Sequence, residues 1–460
     1  MTRGIRIGPA GPGQVLPFRA VDVDEQREYL RGLSCSAPTL YHEENGDRSL
    51  DRGGPAYRRG VFFLLFGALL FLIDKGMLPY SEDSMYGLFV VLVSMQIITM
   101  GKTPFGDFLR SWVVVIIGLI TAILGTIAIF FPGYLSLEIR LLAGLIVLFT
   151  GALGLLQLFT ARDKARLWMK VPGILQQLTI ACVLVYGIEL VLGIITLLPG
   201  IVPNPLTAVL CLIFGLSLFF LAWCIHMVHK QYPSGDAKAA PATVPSTSVF
   251  CLLKEASLTV GNTFNTYQGC LTILVGVLTL FLIIGIFPAF NADGQIGLLL
   301  LLTSLQLLAL GQFVGSQVTR SWLVVAFGLL CAAAGIFSCI VPGILAGIIQ
   351  PLLGIQNIVT GVLLLGTQII APTLYGIRHP PSQPVPLPPI IRRLFLVLMV
   401  TGIVTIVFGI NTIAPVLLPN LLGMVLYAFV LPLLVIIMGL LSLITVSITQ
   451  KLQQGATTAS

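Results

Sequence analysis

Apolar runs of about twenty residues alternate along this chain with shorter polar pieces, and twelve such runs follow one another from residue 59 onward. A helix rises 1.5 Å per residue, so ~20 apolar residues are needed to cross a hydrocarbon core ~30 Å thick. The pattern predicts an all-α polytopic membrane protein with about twelve transmembrane helices. The expected spans are 59–78, 84–101, 109–131, 137–160, 174–198, 205–228, 268–287, 294–312, 319–341, 344–370, 391–414 and 419–449. Residues 1–58 are polar, rich in Gly, Pro and charge, and without periodicity, which reads as a disordered cytoplasmic segment. They contain no apolar core of the kind a signal peptide needs.

Every second connection contains proline: GMLPYSE (76–82), FFPGYLS (130–136), LLPGIVP (197–203), GIFPAFN (285–291), IVPGILA (340–346) and TIAPVLLP (412–419). Proline just beyond a helix C-terminus stops the helix sharply. The expectation is six helical hairpins, each closed by a short proline turn.

The pattern also repeats at long range. Residues 110–133 (RSWVVVIIGLITAILGTIAIFFPG) and 320–343 (RSWLVVAFGLLCAAAGIFSCIVPG) share eleven of 24 positions without a gap. At the same offset of 210, Gly87, Ser94, Gln96, Gly144, Thr150 and Gly151 meet Gly297, Ser304, Gln306, Gly354, Thr360 and Gly361. Gly60, Gly67 and Gly76 find Gly269, Gly276 and Gly285 at offset 209. Such self-similarity marks a tandem duplication. Six helices per copy is an even number, so the halves are expected to be parallel rather than inverted. The implied organisation is a segment 1–58, a first six-helix half 59–229, a cytoplasmic linker 230–262, a second half 263–450 and a tail 451–460.

Composition agrees with a membrane setting. The 460 residues are 57% hydrophobic and 9% charged, with a mean hydropathy of +1.01, against roughly 25% charged in soluble domains. The net charge of +7 does not point to nucleic acid, because the basic residues form no stripe or motif. Instead, 23 of the 25 Lys and Arg fall on one side, counting Arg59 at its boundary; Lys75 and Arg140 are the exceptions. The positive-inside rule then gives a multi-pass protein of the cell membrane with both termini cytoplasmic. Its expected partners are membrane lipids, with self-association left open.

A Gly-rich helix, a Pro-Gly turn and a second helix with a Thr-Gly pair occur within 111–155 and again within 321–366. This unit resembles the short repeat of the HdeD-like acid-resistance membrane proteins. The resemblance implies three hairpins per family member, hence two members fused in this chain. It also implies an association with acid tolerance, and it carries over no catalytic residues or cofactors.

The polar and small residues inside the spans are the candidate sites. Gly118 and Gly125 share a face of the third span, as Gly328 and Gly335 do in the ninth, with Gly144 and Gly354 on the helices expected opposite. They suit close helix packing, or a hinge. Arg110 with Trp112, and Arg320 with Trp322, sit where Trp and Arg anchor a helix at the headgroup level, unless they form an anion gate. Glu189 is the one carboxylate deep in a predicted span, and such a group is either a proton or ion site or a hydrogen-bonded structural residue. Gln96, Gln306, Gln356 and Asn357 are intramembrane amides, read as interhelical hydrogen-bonding groups or as part of a polar pathway. Asp74, Lys75, Glu82 and Asp83 flank the first proline turn as a solvated surface.

No GxxxxGK[ST], HExxH or GxSxG occurs, so nothing points to an ATPase, a zinc protease or a serine hydrolase. His226 and His229 lack companions for a metal site, and the eight cysteines are scattered. The leading expectation is a non-enzymatic membrane protein without cofactors, acting in envelope or acid-stress protection. The alternative is a secondary transporter or channel for a small solute or proton. Two parallel six-helix halves resemble the layout of the major facilitator superfamily, but the connections GKTPFGDFLR and GQFVGSQVTR do not match that family's charged loop signature.

Overall fold

The computed structural model describes residues 48–99, 102–103, 106–107, 112–160, 169, 173–231, 260–286, 290–309, 322–378, 389–417 and 429–458. Residues 1–47 of the expected segment 1–58, most of the linker 230–262, Arg110 and Arg320 lie outside the described residues. Long helices follow in chain order: α1 Arg48–Asp74, α2 Glu82–Thr99, α3 Trp112–Phe130, α4 Ser136–Thr160, α5 Ile174–Leu197 and α6 Asn204–Gln231. They continue as α7 Val260–Ile283, α8 Ala292–Ala309, α9 Trp322–Ile340, α10 Ala346–Leu365, α11 Pro389–Leu417 and α12 Leu431–Thr458. α10 runs on through a π turn, Gly366–Ile370, into a further helical stretch, Ala371–Arg378.

Among the described residues, nine helices are long and apolar enough to cross a membrane. The chain is a multi-pass α-helical membrane protein. The described part of α8, Ala292–Leu308, is a shorter apolar helix. Outward-facing Ile117, Phe149, Leu216 and Val362 remain exposed, a surface suited to hydrocarbon rather than water.

Three local expectations change. α1 begins at Arg48, so 48–58 is helical rather than disordered. α12 is helical to Thr458, so the expected tail is mostly a continuation of the last helix. Between α2 and α3 the strands β1 (Lys102–Thr103) and β2 (Gly106–Asp107) pair antiparallel, Lys102 opposite Asp107. An apolarity scan misses a pairing this short.

The packing also differs from six hairpins closed at the proline turns. The most intimate pairs are α1 with α6, α2 with α3, α4 with α5, α7 with α12, α8 with α9 and α10 with α11. Helices joined by a Pro-Gly turn touch less, and α3 with α4 or α9 with α10 far less. Glycine explains the choice of partner. A methyl group built on Gly125 would lie 2.6 Å from the Gly87 carbonyl oxygen, and one on Gly335 would lie 2.7 Å from that of Gly297. Gly118 likewise packs on Ile98 of α2, and Gly328 on Leu308 of α8. Gly144 packs on Leu197 of α5, and Gly354 on Ile413 and the Gly409 carbonyl of α11. The glycine faces are packing faces, as expected, but α3 and α4 turn theirs to different neighbours.

The turns repeat their geometry. Gly133 and Gly343, at φ 96° and 89°, occupy a region that side chains with a Cβ rarely adopt. The Asp83 carboxylate accepts from the Gly133 N–H at 2.6 Å, and Asp293 accepts from Gly343 at 2.6 Å.

The first six helices meet the last six through α1, α2 and α3 on one side and α7, α8 and α9 on the other. Ser81 N–H donates to the Ile340 carbonyl at 3.2 Å, and Asn291 N–H donates to the Phe130 carbonyl at 3.0 Å. These two bonds are each other's counterparts at offset 210. The Tyr267 hydroxyl adds a third contact, 2.7 Å from the Val91 carbonyl and 2.8 Å from Ser94 Oγ.

Candidate functional site

Three gatherings of buried polar groups among the described residues concern the candidate sites, one among the first six helices and two among the last six. In the first, α1 and α5 both flank α6. Gly60 and Gly215 bring the α1 and α6 backbones together, and the neighbouring Arg59 side chain reaches past them to α5. Its Nη1 lies 3.4 Å from Glu189 Oε1, with Arg59 8% and Glu189 4% exposed. Arg59 Nε has no hydrogen-bond partner among the described residues. Charges taken out of water are costly unless paired, and here each supplies the other's counter-charge.

Sequence reasoning found Glu189 and missed Arg59, which it counted as a boundary charge. Arg59 aligns with Gln268 at the offset that aligns Gly60 with Gly269. Both open their expected spans, and both lie well inside a helix in the structure, α1 starting at Arg48 and α7 at Val260. A lone intramembrane carboxylate also calls for a cation nearby.

The second place is a cavity of about 20 Å³ lined by α7, α8, α11 and α12. Gln268, Thr272, Thr303, Gln306, Thr401 and Ser442 supply its polar lining. The Gln268 amide donates to the Leu302 carbonyl at 2.9 Å and to Gln306 Oε1 at 3.2 Å. Gln306 thus takes part in the interhelical bonding expected of it. The Gln96 side chain lies outside the described residues.

Gln356 and Asn357 occupy the third place, on α10, 0% and 1% exposed. Asn357 donates within its own helix to the Leu353 carbonyl at 2.8 Å. Neither amide atom of Gln356, nor Asn357 Oδ1, has a protein partner among the described residues. Among the described residues, the interhelical bonds expected of these two are not made. Nor do they converge with Glu189: α5 packs on α4 and α6, whereas α10 packs on α8, α9 and α11.

At the proline-turn end, Glu82 and Asp83 are built into the structure. Arg140 approaches Glu82 at 3.6 Å and donates to the Thr196 carbonyl at 3.1 Å. Asp83 also accepts from Ser136 Oγ at 2.6 Å. Of the expected anchors, Trp112 and Trp322 open α3 and α9.

No protein-family model matches the chain, and neither characterised proteins nor solved structures give a match. Fold and site together define a class: a multi-pass α-helical membrane protein with a buried ion pair and a small polar cavity.

Proposed function

We propose that this is a non-enzymatic membrane protein of the HdeD-like type in tandem duplication. On this reading twelve spans form two parallel six-helix halves, both termini are cytoplasmic, the partners are membrane lipids, and the role is envelope or acid-stress protection. The observation that carries the reading is the recurrence of contacts at a fixed offset. Gly87–Gly125 returns as Gly297–Gly335, Asp83–Gly133 returns as Asp293–Gly343, and the six close helix pairs follow one scheme twice. Backbones held together at glycines in every pair suit a compact protective body.

The test is acid survival of cells lacking the protein, alone or with the wild type restored. The reading expects survival to fall in its absence and to return with the wild type. Undiminished survival without the protein contradicts it.

Transport is the second reading, and the buried Arg59–Glu189 pair favours it, since intramembrane ionisable groups mark ion and proton paths. Proteoliposomes carrying a pH-sensitive dye distinguish the two. A proton flux after an acid shift that is lost in Glu189→Gln supports transport, and equal dye traces with and without protein oppose it.

A further inference from the structure

We propose that the cavity between α7, α8, α11 and α12 binds a single monovalent cation stripped of most of its water. Six polar side chains from four helices converge there. Polar groups placed so deep are costly unless something satisfies them.

Hydrogen-bond accounting shows what that occupant must bring. Each hydroxyl has one proton, and each hydroxyl lining the cavity spends it on a backbone carbonyl. Thr272 donates to Gln268, Thr303 to Leu299, Thr401 to Val397 and Ser442 to Asn265, at 2.7–3.1 Å. Both protons of the Gln268 amide are engaged as well, on Leu302 and Gln306. Apart from the amide N–H groups of Gln306, what is left is oxygen lone pairs, including Gln268 Oε1, which has no partner among the described residues although its residue is only 5% exposed. A cage with more acceptors than donors favours an occupant that carries positive charge.

Size and charge narrow the class. About 20 Å³ is room for one water-sized occupant. No carboxylate lines the cavity, whereas Mg²⁺ and Ca²⁺ are held largely through carboxylates. Neutral oxygen dipoles replacing a hydration shell are the means by which proteins hold monovalent cations in a membrane.

The first six helices supply an independent argument. The position equivalent to Gln268 is Arg59, whose guanidinium is itself buried beside Glu189. Where one set of helices holds a tethered cation, the other presents a neutral oxygen cage of the polarity a free cation needs.

The experiment uses the full chain purified in detergent, in choline chloride exchanged for LiCl, NaCl or KCl at constant ionic strength. Thermal unfolding is followed, together with binding of radioactive Na⁺ by equilibrium dialysis. The proposal expects saturable stabilisation by at least one alkali ion. It expects affinity to fall at least tenfold in Gln268→Leu and Thr303→Val, and to hold within twofold in Gln356→Leu, a buried amide outside the cavity lining. Gln268→Glu adds a carboxylate to the cage and should tighten binding at least tenfold, a gain that poor folding cannot mimic. Identical unfolding in choline and all three alkali chlorides means the cavity holds water only, and overturns the proposal. Alkali-ion stabilisation unchanged in both Gln268→Leu and Thr303→Val overturns it equally.

Discussion

Gly125→Ala is the sharpest test of how these helices are held together. The added methyl would sit 2.6 Å from the Gly87 carbonyl oxygen and 3.2 Å from the Val91 nitrogen. That is roughly 0.8 Å short of ordinary contact, and both obstacles are backbone, which cannot rotate away. α2 and α3 must therefore separate. Overpacking of this kind costs about 1–3 kcal/mol, and an obstacle of backbone argues for the upper part of that range. Alanine returns about 0.5–1 kcal/mol of helix propensity, which leaves a net loss of about 1–2 kcal/mol. Gly187→Ala is the control, because a methyl there meets nothing within 4 Å, and it should be neutral or slightly stabilising. Gly335→Ala should lose as much as Gly125→Ala, since its methyl would lie 2.7 Å from the Gly297 oxygen. The assay is the midpoint of detergent-induced unfolding followed by helical circular dichroism. If Gly125→Ala and Gly335→Ala unfold with Gly187→Ala, close backbone contact is not what binds α2 to α3.

Two further predictions use the same assay. Removing one partner of the Arg59–Glu189 pair, by Arg59→Met or Glu189→Gln, strands the other charge in the bundle and should cost about 3–5 kcal/mol. The double substitution Arg59→Met/Glu189→Met should recover most of that loss, and a double variant as unstable as the summed singles would refute the pairing. Asp83→Ala and Asp293→Ala each free a turn N–H held at 2.6 Å, and should cost about 0.5–2 kcal/mol. Asp83→Ala should cost more, because Asp83 also holds Ser136; the reverse order would count against the capping account.

The helices were readable because apolar runs of membrane length say where a helix lies whatever its neighbours are. Each of the twelve runs overlaps a long helix in the same order, the last run only from Leu431 onward. Which helices pair was not readable. Gly118, Gly125 and Gly144 were recognised as packing positions, yet a glycine says only that something comes close. The identity of that neighbour follows from how the proline turns splay α3 from α4. Arg59 escaped because a basic residue at the edge of an apolar run looks like an interfacial charge, and only the extension of α1 back to Arg48 carries it into the bundle. The cavity escaped for a different reason. Gln268, Thr303, Thr401 and Ser442 are unremarkable singly, and four helices distant in sequence must fold before they face one another. Gln356 and Asn357 were noticed for their polarity, but among the described residues burial gave them no bond to another helix.

The central claim is that the chain is two parallel copies of one six-helix unit. Matched reporter insertions test it most directly, at residues 105 and 315 in the connections after α2 and α8, and at 133 and 343 in the proline turns. The account predicts that 105 and 315 report the cytoplasm while 133 and 343 report the opposite side. A result in which 105 and 315 fall on opposite sides of the membrane would contradict it.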